Sequence, residues 1–406
     1  MDASVQTSSA ATGSRDYSVP VGYLRAFVTF LVVVHHSLVA YMGAVAAPSK
    51  QFAGGAMIWR AFPVVDSAHW APAATIVGIN DVFFMSLMFL ISGLFVSSSV
   101  ARKGRAAYLR DRVVRLGIPF LFCAFIVVPA AYYFAYLQSG GAPGLGAYWT
   151  AWRSIGYWPT GPAWFISLLL AFDVVAAALF LVLPSWTERL GRLSAKAGEH
   201  PWRFFLGLLA ASAIAYVPLA LIFGPSGWTY WSVFQFQSSR PLHYFVYFAI
   251  GAGLGAFGVQ RGLLASDGRL AKRWWLWLLA ALGALVLGTA ILLTILTAKG
   301  GPSQALLAVG NASFVLTCGT LCFALLAIFL RFVKRRNPVM DSLAKNAYGI
   351  YVVHYAFVAA AQYALLSRPF SGGAKAGIVI AAALALSWIT TAVLRRIPLV
   401  SRLVGE

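Results

Sequence analysis

The chain has 406 residues, of which 60% are hydrophobic and only 10% charged, against roughly 25% charged in an ordinary soluble domain. That composition excludes water as the main solvent of the chain. The formal charge of +20 does not mark a nucleic-acid binder, because the basic residues are separated by apolar runs of roughly 20 residues and form no continuous face.

Residues 1–20 are rich in Ser, Ala and Thr and lack the charged start, short apolar run and cleavage site of a removable signal peptide. They read as a polar N-terminal tail. At about 20 apolar residues per crossing, hydropathy then predicts transmembrane helices over 21–43, 76–97, 116–138, 163–183, 204–224, 241–258, 275–296, 304–330, 344–366 and 375–396. A C-terminal tail occupies 397–406. The expected fold is all-α: one polytopic integral membrane helical bundle of about ten spans over 21–396, seated in a lipid bilayer. The short sixth span and the long eighth leave room for a re-entrant segment. Cys123, Cys318 and Cys322 all fall inside apolar runs, which supports neither a disulfide framework nor a metal site; they read as small core residues.

Lys and Arg counts test the span map independently, because cytoplasmic loops retain positive charge. Segment 98–115 carries six (Arg102, Lys103, Arg105, Arg110, Arg112, Arg115). Segments 184–203, 259–274 and 331–345 carry four, four and five, and Arg395, Arg396 and Arg402 follow. The alternate connections hold only Lys50, Arg60, Arg153, Arg240, Lys299, Arg368 and Lys375. The split is 22 against seven, with Arg15 and Arg25 at the N-terminal end. Both termini are therefore expected in the cytoplasm, which needs an even number of spans. The aromatic outer connections, Tyr148 to Trp152 and Trp228 to Trp231, fit interfacial belts, and the same residues would serve as sugar-stacking platforms.

Ionisable groups within the hydrocarbon are costly, so the few that persist are functional candidates. They are Arg25, His35 and His36 in the first span, Asp81 near the outer end of the second, Asp173 midway along the fourth, His243 in the sixth and His354 in the ninth. The step from Arg25 to His36 is 11 residues, about three helical turns, which puts both on one helix face roughly 16 Å apart. A guanidinium near the cytoplasmic edge suits a phosphate, and an imidazole deep in the membrane suits the reactive end of the same carrier. The plainer alternative is a snorkelling Arg and a His that bonds between helices.

Several segments carry a family resemblance. His36-Ser37-Leu38-Val39-Ala40-Tyr41 closes the Arg-x10-His pattern. Leu87 to Gly93 resembles a Phe-Phe-x-x-Ser-Gly element, and Arg112 to Pro119 an Arg-x-x-Arg-x-x-x-Pro element. Gly161 to Leu168 is similar to a Leu-Trp-Phe-Leu segment, and Asn346 to His354 to a Ser-x-Tyr-x-Ile-Tyr-Leu-x-His helix. In this order, across essentially the whole chain, they resemble the acyltransferase 3 family of integral membrane acyltransferases, most closely its glucan succinyltransferase-like branch. Met88 and Ala163 depart from the family pattern at packing positions, and Phe84 stands where that branch carries an Arg.

The resemblance implies an O-acyltransferase of the cell (cytoplasmic, inner) membrane, acting on acyl groups other than aminoacyl groups. It implies His36 as the catalytic histidine with Arg25 as its companion, Arg112 and Arg115 on the phosphates of coenzyme A, and His354 facing the same cavity. The donor would be acetyl-CoA or succinyl-CoA with no metal, and the acceptor a hydroxyl of a glycan, glycolipid or small molecule. The oligomeric state, including a homo-oligomer, stays open. Six cations in 98–115 suit a multiply charged cytosolic anion. His36 would act as a base on the acceptor hydroxyl or as the acylated nucleophile, and Asp173 is the buried carboxylate available to fix its ring. A transporter of an anionic or glycosidic substrate is the rival reading, against which stands the absence of an internal repeat.

The charge split makes a test of orientation. A cysteine replacing Lys50 should react with an impermeant maleimide in intact cells and one replacing Lys103 should not; the reverse labelling would overturn the topology.

Overall fold

The computed structural model describes residues 18–43 and 64–404. Most of the polar N-terminal tail, the connection that carries Lys50 and Arg60, and the last two residues lie outside the described residues. The helices are α1 (Val19–Val39), α2 (Ala71–Gly93), α3 (Val96–Lys103), α4 (Arg105–Gln138), α5 (Leu145–Arg153), α6 (Trp164–Val182) and α7 (Trp186–Glu199). There follow α8 (Pro201–Phe223), α9 (Pro241–Phe257), α10 (Trp274–Thr297), α11 (Gln304–Phe332), α12 (Pro338–Leu365), α13 (Gly372–Leu394) and α14 (Pro398–Val404). One antiparallel hairpin, β1 (Trp228–Trp231) with β2 (Phe234–Gln237), pairs Trp228 with Gln237 and Trp231 with Phe234. It occupies an aromatic connection that composition assigned to an interfacial belt.

Local sequence accounts for the helix starts. Proline sits in the first turn of α1, α2, α8, α9 and α12, where its missing N–H has no helical partner to lose. Asn337 caps α12 by accepting from the N–H groups of Val339 (2.9 Å) and Met340 (3.2 Å), satisfying donors that the helix itself leaves open. Helix also runs through the basic stretch read as a loop. Segment 98–115 forms α3 and the first turns of α4, since Ala, Leu, Lys and Arg favour helix. Two π-helical turns, Val113–Gly117 and Cys123–Val127, widen α4 where it passes the other helices.

Among the described residues eight helices are long and apolar enough to cross a membrane. A ninth crossing needs α9, 17 residues long, taken together with Gly262–Lys272, to which it is bent by 85°. The expected span 344–366 falls on α12, which at 28 residues is long enough. Its tyrosines, His354 and Gln362 leave it too polar to qualify on composition. It packs along α1 and α13, and its polar groups are buried there: His354 is fully buried and Asn346, Tyr351 and Gln362 nearly so.

Helices α2 and α9 meet backbone to backbone. A Cβ added at Gly251 or Gly255 would lie 2.1 Å from the carbonyl oxygen of Leu90 or 1.9 Å from that of Leu94, and one at Gly93 would lie 2.1 Å from that of Phe248. Small residues four apart on a helix allow this close approach in lipid, where van der Waals packing drives association. The opposite side of α9 carries α7, with Gly191 against the carbonyl oxygen of Gly253. In the first turn of α13, Lys375 forms an ion pair with Asp66 at 2.7 Å in which both side chains are 2% exposed; Lys375 also donates to the carbonyl of Leu366 at 3.1 Å.

Gly255→Val should therefore force α2 from α9 and destabilise the fold by about 1–3 kcal/mol or more. Gly283→Val on α10, where an added Cβ meets nothing within 4 Å, should stay near neutral. Thermal unfolding in detergent compares the two, and equal stabilities would remove the close crossing.

Candidate active site

Two cavities flank α1, and the helix carries a candidate side chain into each. The first, of about 440 Å³, is lined by Arg25 and Thr29 of α1, Arg102 and Lys103 of α3, Asp111, Arg112 and Arg115 of α4, and Lys345 of α12. We call it the basic chamber. The second, of about 330 Å³, is lined by Val32, His35 and His36 of α1, Asp81 and Phe84 of α2, Trp164, and the hairpin residues Trp228, Tyr230, Gln235 and Gln237. We call it the aromatic chamber. Tyr351 of α12 lines both, and its hydroxyl donates to the carbonyl of Pro162, pinning the partition to the start of α6.

The basic chamber gathers the cations that sequence singled out. Arg25 Nη2 donates to the carbonyl of Ala344 at 3.3 Å, and Thr29 Oγ1 to that of Arg25 at 3.1 Å. Asp111 accepts from Lys103 Nζ at 2.8 Å and pairs with Arg115 Nε at 3.2 Å. Arg112 Nε lies 3.5 Å from Asp173 Oδ2, and its guanidinium sits 5.2 Å from the ring centre of Tyr108. The Tyr108 hydroxyl donates to Asp173 Oδ1.

These contacts correct the expectation for Asp173. It does not orient His36: it lines the other chamber, and its partners are Arg112 and Tyr108. A carboxylate 1% exposed is stable only beside a cation and donors, and α4 supplies both. Asp173 positions Arg112.

In the aromatic chamber the His36 ring lies 5.2 Å from that of His354 at an interplanar angle of 23°, and 5.3 Å from that of Tyr355 at 70°. The His35 ring stacks on Phe84 at 5.0 Å. Both adjacent histidines line this chamber, and neither lines the basic chamber that Arg25 faces. Their rings stand nearly perpendicular, 87° apart, and the chamber spans the end of α1 widely enough to admit both. His354 also departs from expectation. It is fully buried behind His36 rather than on a cavity wall. Its Nδ1 donates to the carbonyl of Tyr351 at 2.6 Å, which leaves the lone pair of the neutral ring on Nε2.

His35 Nδ1, His36 Nδ1 and His354 Nε2 are buried without a hydrogen-bond partner among the described residues. His243 is the opposite case. Its ring nitrogens meet Ser86 Oγ at 3.0 Å and Ser212 Oγ at 2.6 Å, with Cys318 Sγ at 3.7 Å. That ring is a fully satisfied tie between α2, α8, α9 and α11.

Sequence reasoning passed over Gln362, whose Nε2 donates to the carbonyls of His36 (3.0 Å) and Ser37 (3.2 Å). It satisfies carbonyls that the end of α1 leaves open and fixes the turn bearing His36. A glutamine within an apolar helix was the available signal. Among the described residues no cluster of His, Cys, Asp or Glu could hold a metal.

No curated protein and no solved structure matches the chain. The acyltransferase 3 profile, an acyltransferase domain, matches residues 21–392, a stretch that contains every candidate residue and all of the two chamber walls but Ser18 and Leu403. With its apolar helices, this match makes the chain a multi-pass membrane acyltransferase of the acyltransferase 3 family.

Proposed function

We propose that the protein transfers an acetyl or succinyl group from acyl-CoA, held in the basic chamber, to a hydroxyl of a glycan, glycolipid or small molecule in the aromatic chamber. The observation that carries this reading is the division of α1. Arg25 lines a chamber walled by cations, and His36, about 16 Å along the same face, lines a chamber walled by rings.

The basic chamber faces the cytoplasm in this reading, the side to which the loop charges point. Arg112 and Arg115 would grip the CoA phosphates through charge-assisted bonds. The polar helix α12, about 42 Å long at 1.5 Å per residue and joined by short connections to two spans, would complete ten crossings and leave both termini in the cytoplasm. Tyr351, common to both chambers, marks where the pantetheine arm would pass.

At the junction His36 takes the proton of the acceptor hydroxyl as its oxygen attacks the thioester carbonyl. The C–S bond breaks, the thiolate leaves as CoA, and the proton passes from His36 to that sulfur. A thioester is already activated, so a base near neutral pKa suffices. His354 acts through His36: its Tyr351 bond holds one tautomer and its face supports the ring. The second carboxylate oxygen of Asp173 keeps Arg112 turned to the chamber.

Arg115→Ala should weaken acyl-CoA binding by roughly tenfold to a hundredfold, the worth of one charge-assisted contact of about 1.5–3 kcal/mol. Arg112→Ala should do the same, with Asp173→Asn added so that no buried carboxylate is stranded. Unchanged affinity in the combined variant, measured by calorimetry, means that the donor is not CoA or enters elsewhere.

His36→Ala should lower transfer by a factor of about 100 to 10,000, or 3–5 kcal/mol, with near-normal expression. His35→Ala, whose ring packs on Phe84, should retain much of the activity. Radiolabelled acyl-CoA with purified protein reads both release of CoA and label on the acceptor, and a transporter would give neither. Wild-type rates in His36→Ala would sink the mechanism.

A further inference from the structure

The aromatic chamber contains a carboxylate that the proposed reaction leaves unused. Asp81 of α2 lines the chamber with its side chain 42% exposed, while its partner Arg240, just before α9, is 6% exposed. Arg240 Nη2 donates to Asp81 Oδ2 at 2.7 Å, and Nη1 donates to the Asp81 carbonyl at 3.1 Å and to the Tyr244 hydroxyl at 3.3 Å. The guanidinium also lies 5.0 Å from the ring centre of Phe314. A buried guanidinium engaged through both terminal nitrogens holds one carboxylate in one orientation. It leaves Asp81 Oδ1 without a protein partner among the described residues.

The surroundings of that oxygen say what it could take. Trp164, Trp228 and Tyr230 bring aromatic faces to the chamber. Gln235 is already committed, donating to the Trp158 carbonyl at 2.5 Å and accepting from the Thr160 N–H at 3.4 Å, and so anchors the hairpin over the chamber. Among the described residues the chamber wall carries no Lys or Arg. Rings cover C–H faces, and an ionised carboxylate accepts from hydroxyls and repels anions.

We propose that the aromatic chamber takes an uncharged polyhydroxyl acceptor and that Asp81 holds it beside His36, with Arg240 as the positioning residue; the proposal rests on the acyltransferase reading of the site. The hydroxyls next to the reacting one donate to Asp81, the ring faces cover the carbon skeleton, and the reacting oxygen is left to His36. An acceptor with a carboxylate at the same place meets Asp81 as a like charge.

Purified protein supplied with acetyl-CoA, methyl glucoside and methyl glucuronide tests this. The wild type should acetylate the glucoside at least about tenfold more efficiently than its anionic twin. Asp81→Asn should raise KM for the glucoside by roughly tenfold to a hundredfold and narrow the discrimination. It should leave KM for acetyl-CoA unchanged, because the donor occupies the other chamber. Because Asp81→Asn strands the Arg240 charge, the double variant Asp81→Asn/Arg240→Met, which removes both charges, keeps the fold testable and should show the same KM. Arg240→Lys should retain kcat with a smaller rise in KM. An unchanged glucoside KM in the folded double variant would overturn the proposal. So would a wild type that accepts glucuronide as well as glucoside, or one that hydrolyses acetyl-CoA yet never acetylates the glucoside. No turnover of acetyl-CoA by any route would remove the functional reading itself, and this proposal with it.

Discussion

A charged or hydrogen-bonding group inside an apolar bundle must find a partner or face a cavity, and this constraint organises the interior. Asp66 with Lys375, Asp81 with Arg240 and Asp173 with Arg112 are pairs drawn from segments far apart in the chain. Each ties two neighbouring elements together inside the bundle. His243 is tied on both ring nitrogens. After these are set aside, His35, His36 and His354 each retain a buried ring nitrogen with no protein partner among the described residues. Under the proposed reaction the chemistry is placed where structural demand has been met elsewhere and left open.

Helix α1 gives that opening its geometry. It packs on α2, α12 and α13, so its register is held on several sides, and Gln362 closes its last turn beside His36. The close crossing of α2 on α9 through Gly93, Gly251 and Gly255 brings Asp81 to Arg240 and Ser86 to His243. A shift of either helix would disturb the chamber wall and the ring that ties it, which is why a packing contact far from His36 bears on the site.

Hydropathy made most of the bundle legible, because crossing helices must satisfy their backbone internally and present apolar side chains to lipid. It also marked 344–366 as a span, although α12 is not apolar enough to stand among the eight helices that qualify by composition, since Tyr351, His354 and Gln362 are shielded by neighbours rather than by their own apolarity. Helical periodicity gave the spacing of Arg25 and His36, which is local. It could not give the partner of Asp173, which depends on how α4 packs on α6, and this carboxylate midway along its span was therefore assigned to the wrong partner. The basic residues of α3 and α4 were visible as charge, but their convergence with Lys345 on one chamber requires the fold. The hairpin carrying Trp228 and Gln235 was hidden for another reason: its aromatics match an interfacial belt in composition, and only the bonds from Gln235 to 158–160 turn it over the chamber.

The two chambers differ in charge as well as in lining, and under the proposed reaction that difference gives transfer a direction. Arg25, Arg102, Lys103, Arg112, Arg115 and Lys345 outnumber Asp111 and Asp173 on the basic chamber, while Asp81 is the charged residue on the described wall of the aromatic one. Both the donor and the released CoA are polyanions, so both are favoured on the basic side and disfavoured beyond Tyr351. An acetyl group is neutral and a succinyl group carries a single charge against the several of CoA, so the acyl group can end on the aromatic side where its carrier cannot. Tyr351, fixed to Pro162, stands where a wider opening would admit water to the thioester and turn transfer into hydrolysis. The partition thus serves chemistry and vectorial transfer together: it keeps the charged carrier on one side, leaves the acceptor on the other, and lets only the reacting carbonyl meet His36.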